Sequence, residues 1–273
     1  METMMFEKSH RKQCFLEYIS DGDNEVDAKA FYKQYFDCYR EGWNGDAWFT
    51  PIALLEGLHD ENCYISCISD WRWKTPKEAK LELISKVSVK ICEEENKKLG
   101  TDYKSLANFG FLPLGLNPWR GVYKKDNNRL RLGDFPDLFF ECVKCYLENI
   151  SPVGKGKCGY SDIERDKLIE YKWWFLEIGC TEMESGKWSD SAWNNFVEKM
   201  QLKNSFVDEN LQVITLFDHD IGNPFPTIKG VDINKKYETD ELVNIISKDP
   251  SVKSCVKKVY SIWENRADYF SRL

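Results

Sequence analysis

The chain lacks most of the signatures by which a chemistry can be read from residues alone. Its 273 residues include only three histidines, His10, His59 and His219, and these are scattered. There is no GxSxG elbow, so a serine-hydrolase triad has no anchor. No GxxxxGK(S/T) loop occurs, and the one GxGxxG match, Gly154–Gly159, follows an expected helix and not a strand, which leaves P-loop, kinase and dinucleotide-binding readings without support. The opening METMMFEKSHRKQ has no apolar signal core, and no run approaches the roughly 18 apolar residues of a membrane span. A cytoplasmic protein with no membrane partner is therefore expected. Ten cysteines make up only about 4% of the chain, below the density of a disulfide scaffold. A chain this long can bury its own core, so free thiols in a reducing compartment fit better than disulfides.

Aromatic residues, by contrast, are plentiful. Ten Trp, thirteen Tyr and sixteen Phe must be largely buried, because an exposed aromatic surface of that size would aggregate. Hydrophobic content of 42% beside 30% charged residues belongs to a globular chain, not a disordered one. The net charge of −7 repels phosphate backbones. One local exception is the basic group Arg120, Lys124, Lys125, Arg129 and Arg131, opposed only by Asp126. These are candidate binding residues, and a nucleic-acid partner is expected only through 120–131.

The hydrophobic pattern predicts a mainly α protein of the α+β kind, with a helical core and a small β element. The residues up to about Asn24 read as loosely ordered. Helices are expected over 26–41, 49–58, 75–99, 135–150, 161–178, 190–200 and from Pro250 to the end. Thr75-Pro76 and Pro136 mark helix starts, and Ser161 with Glu164 forms a capping box. The β element is expected as a strand near 63–68, a hairpin near 122–132 around Asp126-Asn127-Asn128, and a strand near 211–217 (LQVITLF). A single domain over 1–273 is expected, with one soft seam at 151–159.

Several clusters could carry chemistry. Cys142 and Cys145 have zinc-ligand spacing, with Cys158 and Cys180 as further thiolates. They also recur at helical spacing beside Leu138, Phe139 and Val143, where cysteine is core filler, so no metal or cofactor is expected. Asp218, His219 and Asp220 follow the 211–217 segment and are the candidate catalytic residues. Two carboxylates and an imidazole at a strand end could hold a divalent ion or act as a base, and the same residue types also make a solvated turn. Glu170-Tyr171-Lys172 with Asp162 supplies the letters of a PD-(D/E)xK nuclease, but on a helix, which misplaces the lysine. The pairs Trp71/Trp73 and Trp173/Trp174 could stack a base or sugar, or straddle core and rim.

Residues 105–150 are the most informative stretch. Asn108-Phe-Gly110-Phe-Leu-Pro113, then Leu116-Asn117, Arg120-Gly121 and Asp134-Phe-Pro-Asp-Leu-Phe-Phe-Glu-Cys-Val-Lys-Cys-Tyr146, resemble a family of uncharacterised bacterial proteins, a domain of unknown function. That family carries a "GNF-hydrophobic-P … N … RG" stretch followed by a "DLxLECIxxYY" helix. The resemblance extends through 161–200, the FDHD loop and Glu264-Asn265-Arg266, and leaves the first hundred residues unmatched. It implies fold coherence and a bacterial origin. The same Asn108/Gly110 and Leu116-Asn117 spacing is similar to the "GNLTLL … LN" element of HNH nucleases, with His59 as the upstream candidate and Asn-Phe-Gly in place of Gly-Asn.

The function expected from these residues is that of a bacterial cytoplasmic protein acting through a protein or small-ligand binding surface, in a phage-defence or stress-response setting. The alternative is a metal-dependent hydrolase or nuclease, HNH-like and degenerate, using Asp218, His219 and Asp220 or His59 with Asn117.

Overall fold

The computed structural model describes residues 11–16, 26–58, 76–93, 103–121, 135–152, 160–216, 228–232 and 234–273. The protein is mainly α with a small β element. In chain order, the elements are α1 (Arg11–Leu16), α2 (Val26–Tyr35), β1 (Asn44–Ala47), a 3-10 helix (Pro51–Leu58), α3 (Pro76–Ile91), a 3-10 turn (Leu106–Asn108), β2 (Phe109–Leu112), α4 (Leu116–Gly121), α5 (Pro136–Leu147), α6 (Asp162–Glu170), α7 (Lys172–Glu177), α8 (Ala192–Lys199), α9 (Thr239–Ile246) and α10 (Pro250–Phe270). No helix among the described residues is long and apolar enough to cross a membrane.

The strand pair organises the core. β1 runs antiparallel to β2 in the register Asn44↔Leu112, Gly45↔Phe111, Asp46↔Gly110 and Ala47↔Phe109. The ring of Phe111 packs on Tyr32, Phe36, Tyr39 and Trp43. Trp48 lies against Phe139 and Phe140 of α5 and Phe206. Gly110 is required here, because a Cβ built on it would collide with the Trp48 indole. Helix α10 crosses this region and packs on α1, α3 and the 3-10 turn before β2. Its Val252, Val256, Val259, Tyr260, Trp263 and Phe270, the stripe read from the sequence, are all buried.

The small β element is built from different residues than the pattern suggested. The expected strand at 63–68 and hairpin at 122–132 fall outside the described residues. Residues 211–216 do not form a strand: they make only an isolated bridge, Val207↔Val213. Leu211 adopts φ 61°, and Ile214 N–H donates to Phe206 O at 2.9 Å, so the backbone folds onto the preceding turn. Asp137 of α5 then accepts from Leu216 N–H at 2.7 Å. High β-propensity is overridden by these local and side-chain bonds.

Helix boundaries also shift. Residues 11–16 are helical where loose order was expected, because Phe15 packs on Phe270 of α10. Helix α2 stops at Tyr35, short of Glu41, and Pro51–Leu58 is a 3-10 helix. The expected helix 161–178 is two helices broken at Tyr171, a turn that lets both Trp174 and Phe175 enter the core. The capping box forms as read: Ile163 N–H donates to Ser161 Oγ at 3.3 Å, and Ser161 N–H donates to Glu164 Oε2 at 2.9 Å. Helices α4 and α9 had not been anticipated. Of the seam at 151–159, residues 153–159 lie outside the described residues.

Candidate functional site

Asp218, His219 and Asp220 lie outside the described residues, as do His10, His59, Lys124, Lys125, Arg129, Arg131, Cys158, Trp71 and Trp73. The remaining candidates are placed: the fold bonds Asn117 to Arg120 and disperses the others. Glu170 pairs with Lys167 and Asp162 with Arg165, whereas Lys172 turns to Glu182. Cys142 is fully buried on α5 and Cys145 half-buried. Among the described residues, no three His, Cys, Asp or Glu side chains form a group that could hold a metal ion. Trp174 is buried, whereas Trp173 is 44% exposed.

Arg120 is drawn into the interior and is 1% exposed. Its Nη1 and Nη2 donate to Trp48 O at 2.6 Å and Ala47 O at 2.8 Å, and its Nε and Nη2 donate to Asn117 Oδ1 at 3.2 and 2.9 Å. The guanidinium also lies over the rings of Trp48 and Phe139. Asn108 completes this hub, donating to Phe49 O at 2.8 Å and accepting from Phe49 N–H at 3.1 Å. From the other side, Arg266 of α10 donates to Ala107 O at 3.1 Å and Phe109 O at 2.5 Å, above the rings of Phe206 and Phe270. Its Nε and Nη2 meet no acceptor among the described residues. Burial pushes its pKa down to about 10. Asn108, Gly110, Asn117, Arg120 and Arg266, which carry much of the pattern in the 105–150 stretch and its closing triplet, therefore act together as architecture. Asn108, Arg120 and Arg266 satisfy carbonyls in and beside the strand pair, where unpaired backbone groups would be costly.

The open face of α10 is different. Between the end of that helix and the segment after α8 lies a cleft of about 370 Å³, lined by Gln201, Asn204, Asn265, Asp268, Tyr269 and Arg272. Asn265, Asp268, Tyr269 and Arg272 share one helix face by their three- and four-residue spacing. Opposite them, α8 ends in a Schellman motif: Leu202 N–H donates to Val197 O at 2.9 Å and Gln201 N–H to Glu198 O at 3.1 Å. Gln201 therefore occupies the left-handed C′ position, with φ 52°. Two other helices end the same way, with Asn149 and Gly179 at that position, the residue types that tolerate it. Asn149 justifies its place by bonding both Trp188 N–H and Trp188 O. Gln201 donates to Tyr35 O at 3.3 Å, and its Oε1 is buried without a donor among the described residues.

Charge in the cleft is balanced. Glu198 and Asp268 face Lys203 and Arg272, and Asp268 is already bound by Arg272 at 3.0 Å and Lys12 at 3.6 Å. The amides of Asn204 and Asn265 make no side-chain hydrogen bond to described residues. Sequence reasoning picked out Asn265 only as part of a resemblance. The polar stripe on α10 was visible in principle, but the Gln201 side of the cleft depends on a left-handed turn that no spacing signals.

A second exposed feature lies on the opposite kind of surface. Leu114 is 72% exposed, Trp173 44% and Leu176 43%. Tyr171 joins them, donating to Leu114 O at 3.3 Å with its ring 6.3 Å from that of Trp173.

Comparison of the chain with protein-family models, curated proteins and solved structures finds no match. The functional reading therefore rests on this geometry.

Proposed function

We propose that this protein is a small-ligand-binding protein and that its site is the cleft between the end of α10 and the Gln201–Asn204 turn. The observation that carries this reading is the convergence, in a space of about 370 Å³, of three carboxamides, Gln201, Asn204 and Asn265, of which only Gln201 bonds a described residue through its side chain. The polar side chains of Arg120 and Asn108 are instead bonded to backbone. Those in the cleft are left with donors and acceptors to spare, and the volume lies within the usual range for small-molecule sites.

Thermal unfolding against a panel of small polar metabolites tests it. A ligand at a hundred times its Kd adds about 2.7 kcal/mol of stability, enough to raise the Tm by several degrees. The shift should disappear in Asn265→Leu, whose side chain occupies the cleft without matching its hydrogen bonds. If no compound shifts the Tm, the reading fails.

The face of Leu114, Trp173 and Leu176 favours a second reading, self-association. Lys167, which lies over the Tyr171 ring, is already paired with Glu170 at 2.6 Å and so offers little to steer an oppositely charged partner. Sedimentation of the wild type beside Trp173→Glu reads this directly, and a monomer in both would remove it.

A further inference from the structure

The chemistry of the cleft narrows the ligand. We infer that it takes a neutral, hydroxyl-rich molecule of the size of a mono- or disaccharide. This rests on the small-ligand reading above and adds the ligand class.

Three observations support that class. First, the lining charges cancel, two carboxylates against two cations, and Asp268 is held by both Arg272 and Lys12. Neither Asp268 nor Arg272 therefore offers a ligand an uncompensated charge. Second, the groups left over are carboxamides, at Gln201, Asn204 and Asn265. Each offers both a carbonyl acceptor and an N–H donor, which matches hydroxyls, since these also donate and accept. The unpaired Gln201 Oε1 in particular calls for a donor. Third, Tyr269 lines the same cleft and is 41% exposed, which leaves ring surface for the apolar C–H face of a pyranose.

The turn at Gln201 adds an independent signal. Glycine is the usual occupant of this left-handed position, and a non-glycine residue there is strained. Strain of this kind clusters at functional sites. Gln201 therefore acts here as a ligand-contacting group held at a cost to the helix end.

The test uses the full chain and titrates glucose, galactose, N-acetylglucosamine and cellobiose by calorimetry and saturation-transfer NMR. Glycine and citrate serve as zwitterionic and anionic probes. At least one neutral sugar should bind saturably, and Asn265→Ala and Tyr269→Ala should each weaken it at least tenfold without moving the Tm. Gln201→Gly should raise the Tm while weakening the same sugar, a pairing that a purely structural glutamine would not show. Binding of glycine or citrate in place of the sugars, lost on Lys203→Ala, overturns the ligand class and leaves the small-ligand reading standing. Sugar binding indifferent to all three variants overturns the site. No binding by any probe, together with a flat metabolite panel, overturns both readings.

Discussion

One helix turn separates two polar environments that differ in nearly everything but their residues. On the buried face of α10, Arg266 reaches Ala107 O and Phe109 O beneath aromatic rings, and across the strand pair Arg120 does the same for Ala47 and Trp48. On the open face, Asn265, Asp268, Tyr269 and Arg272 border a cleft. In the first region the low dielectric makes each hydrogen bond to a guanidinium worth keeping and each unpaired carbonyl expensive. In the second, water competes for every contact, so the same kinds of group contribute little to folding and stay available to a ligand. Burial, more than residue type, divides structural polarity from binding polarity.

Substitutions can break or sharpen that division. Gly110→Ala should have the largest effect, more than about 3 kcal/mol by denaturant titration, because its Cβ must displace the packed Trp48 ring. Arg120→Ala should cost about 2–3 kcal/mol by leaving the Ala47 and Trp48 carbonyls without its guanidinium. Arg120→Lys should recover little, since an ammonium cannot reproduce the fork. Next comes alkali. Burial holds the Cys38 thiol up to about 11 and that of Cys180 up to about 12, from an ordinary value of 9.0. Between those limits the unfolded chain has lost protons that the folded one retains. Stability is thus full below pH 9 and should fall by about 2–3 kcal/mol, summed over the two thiols, as pH reaches 10, measured by urea midpoints at each pH.

Asp249→Ala should cost about 1–2 kcal/mol, because Asp249 accepts from Ser251 and Val252 N–H at the start of α10 and from Lys229 N–H. Tyr269→Ala should stand at the bottom of the series, within about 0.5 kcal/mol of wild type. A stability loss at Tyr269 equal to that at Arg120 would erase the contrast between the two faces.

The parts of the fold legible in the sequence are those whose cause is local. Ser161 and Glu164 cap α6 from within one turn, Pro250 opens α10, and the apolar stripe of that helix points inward as its spacing requires. What could not be read depends on partners distant in the chain. Asn44–Ala47, with an Asn-Gly-Asp start, has little β-propensity and becomes a strand because β2 and the Arg120 clamp hold it. LQVITL, residues 211–216, has high propensity and does not become one, because Phe206 and Asp137 take N–H groups of Ile214 and Leu216 instead. Arg120 read as a surface cation beside Lys124 and Lys125, and only the packing of α4 against β1 turned it inward. The candidate cleft was half visible, as a polar stripe with one tyrosine, and the Gln201 half was not.

By itself the sequence determined a mainly helical protein, its helix starts and the burial of its aromatics, since these follow from composition, periodicity and caps within a few residues. Tertiary structure alone decided which arginines lie in the core, which segments pair as strands, and where carboxamides and an exposed tyrosine meet. Those outcomes depend on the burial of each group and on contacts between residues far apart in the chain, and neither is set by a residue's immediate neighbours.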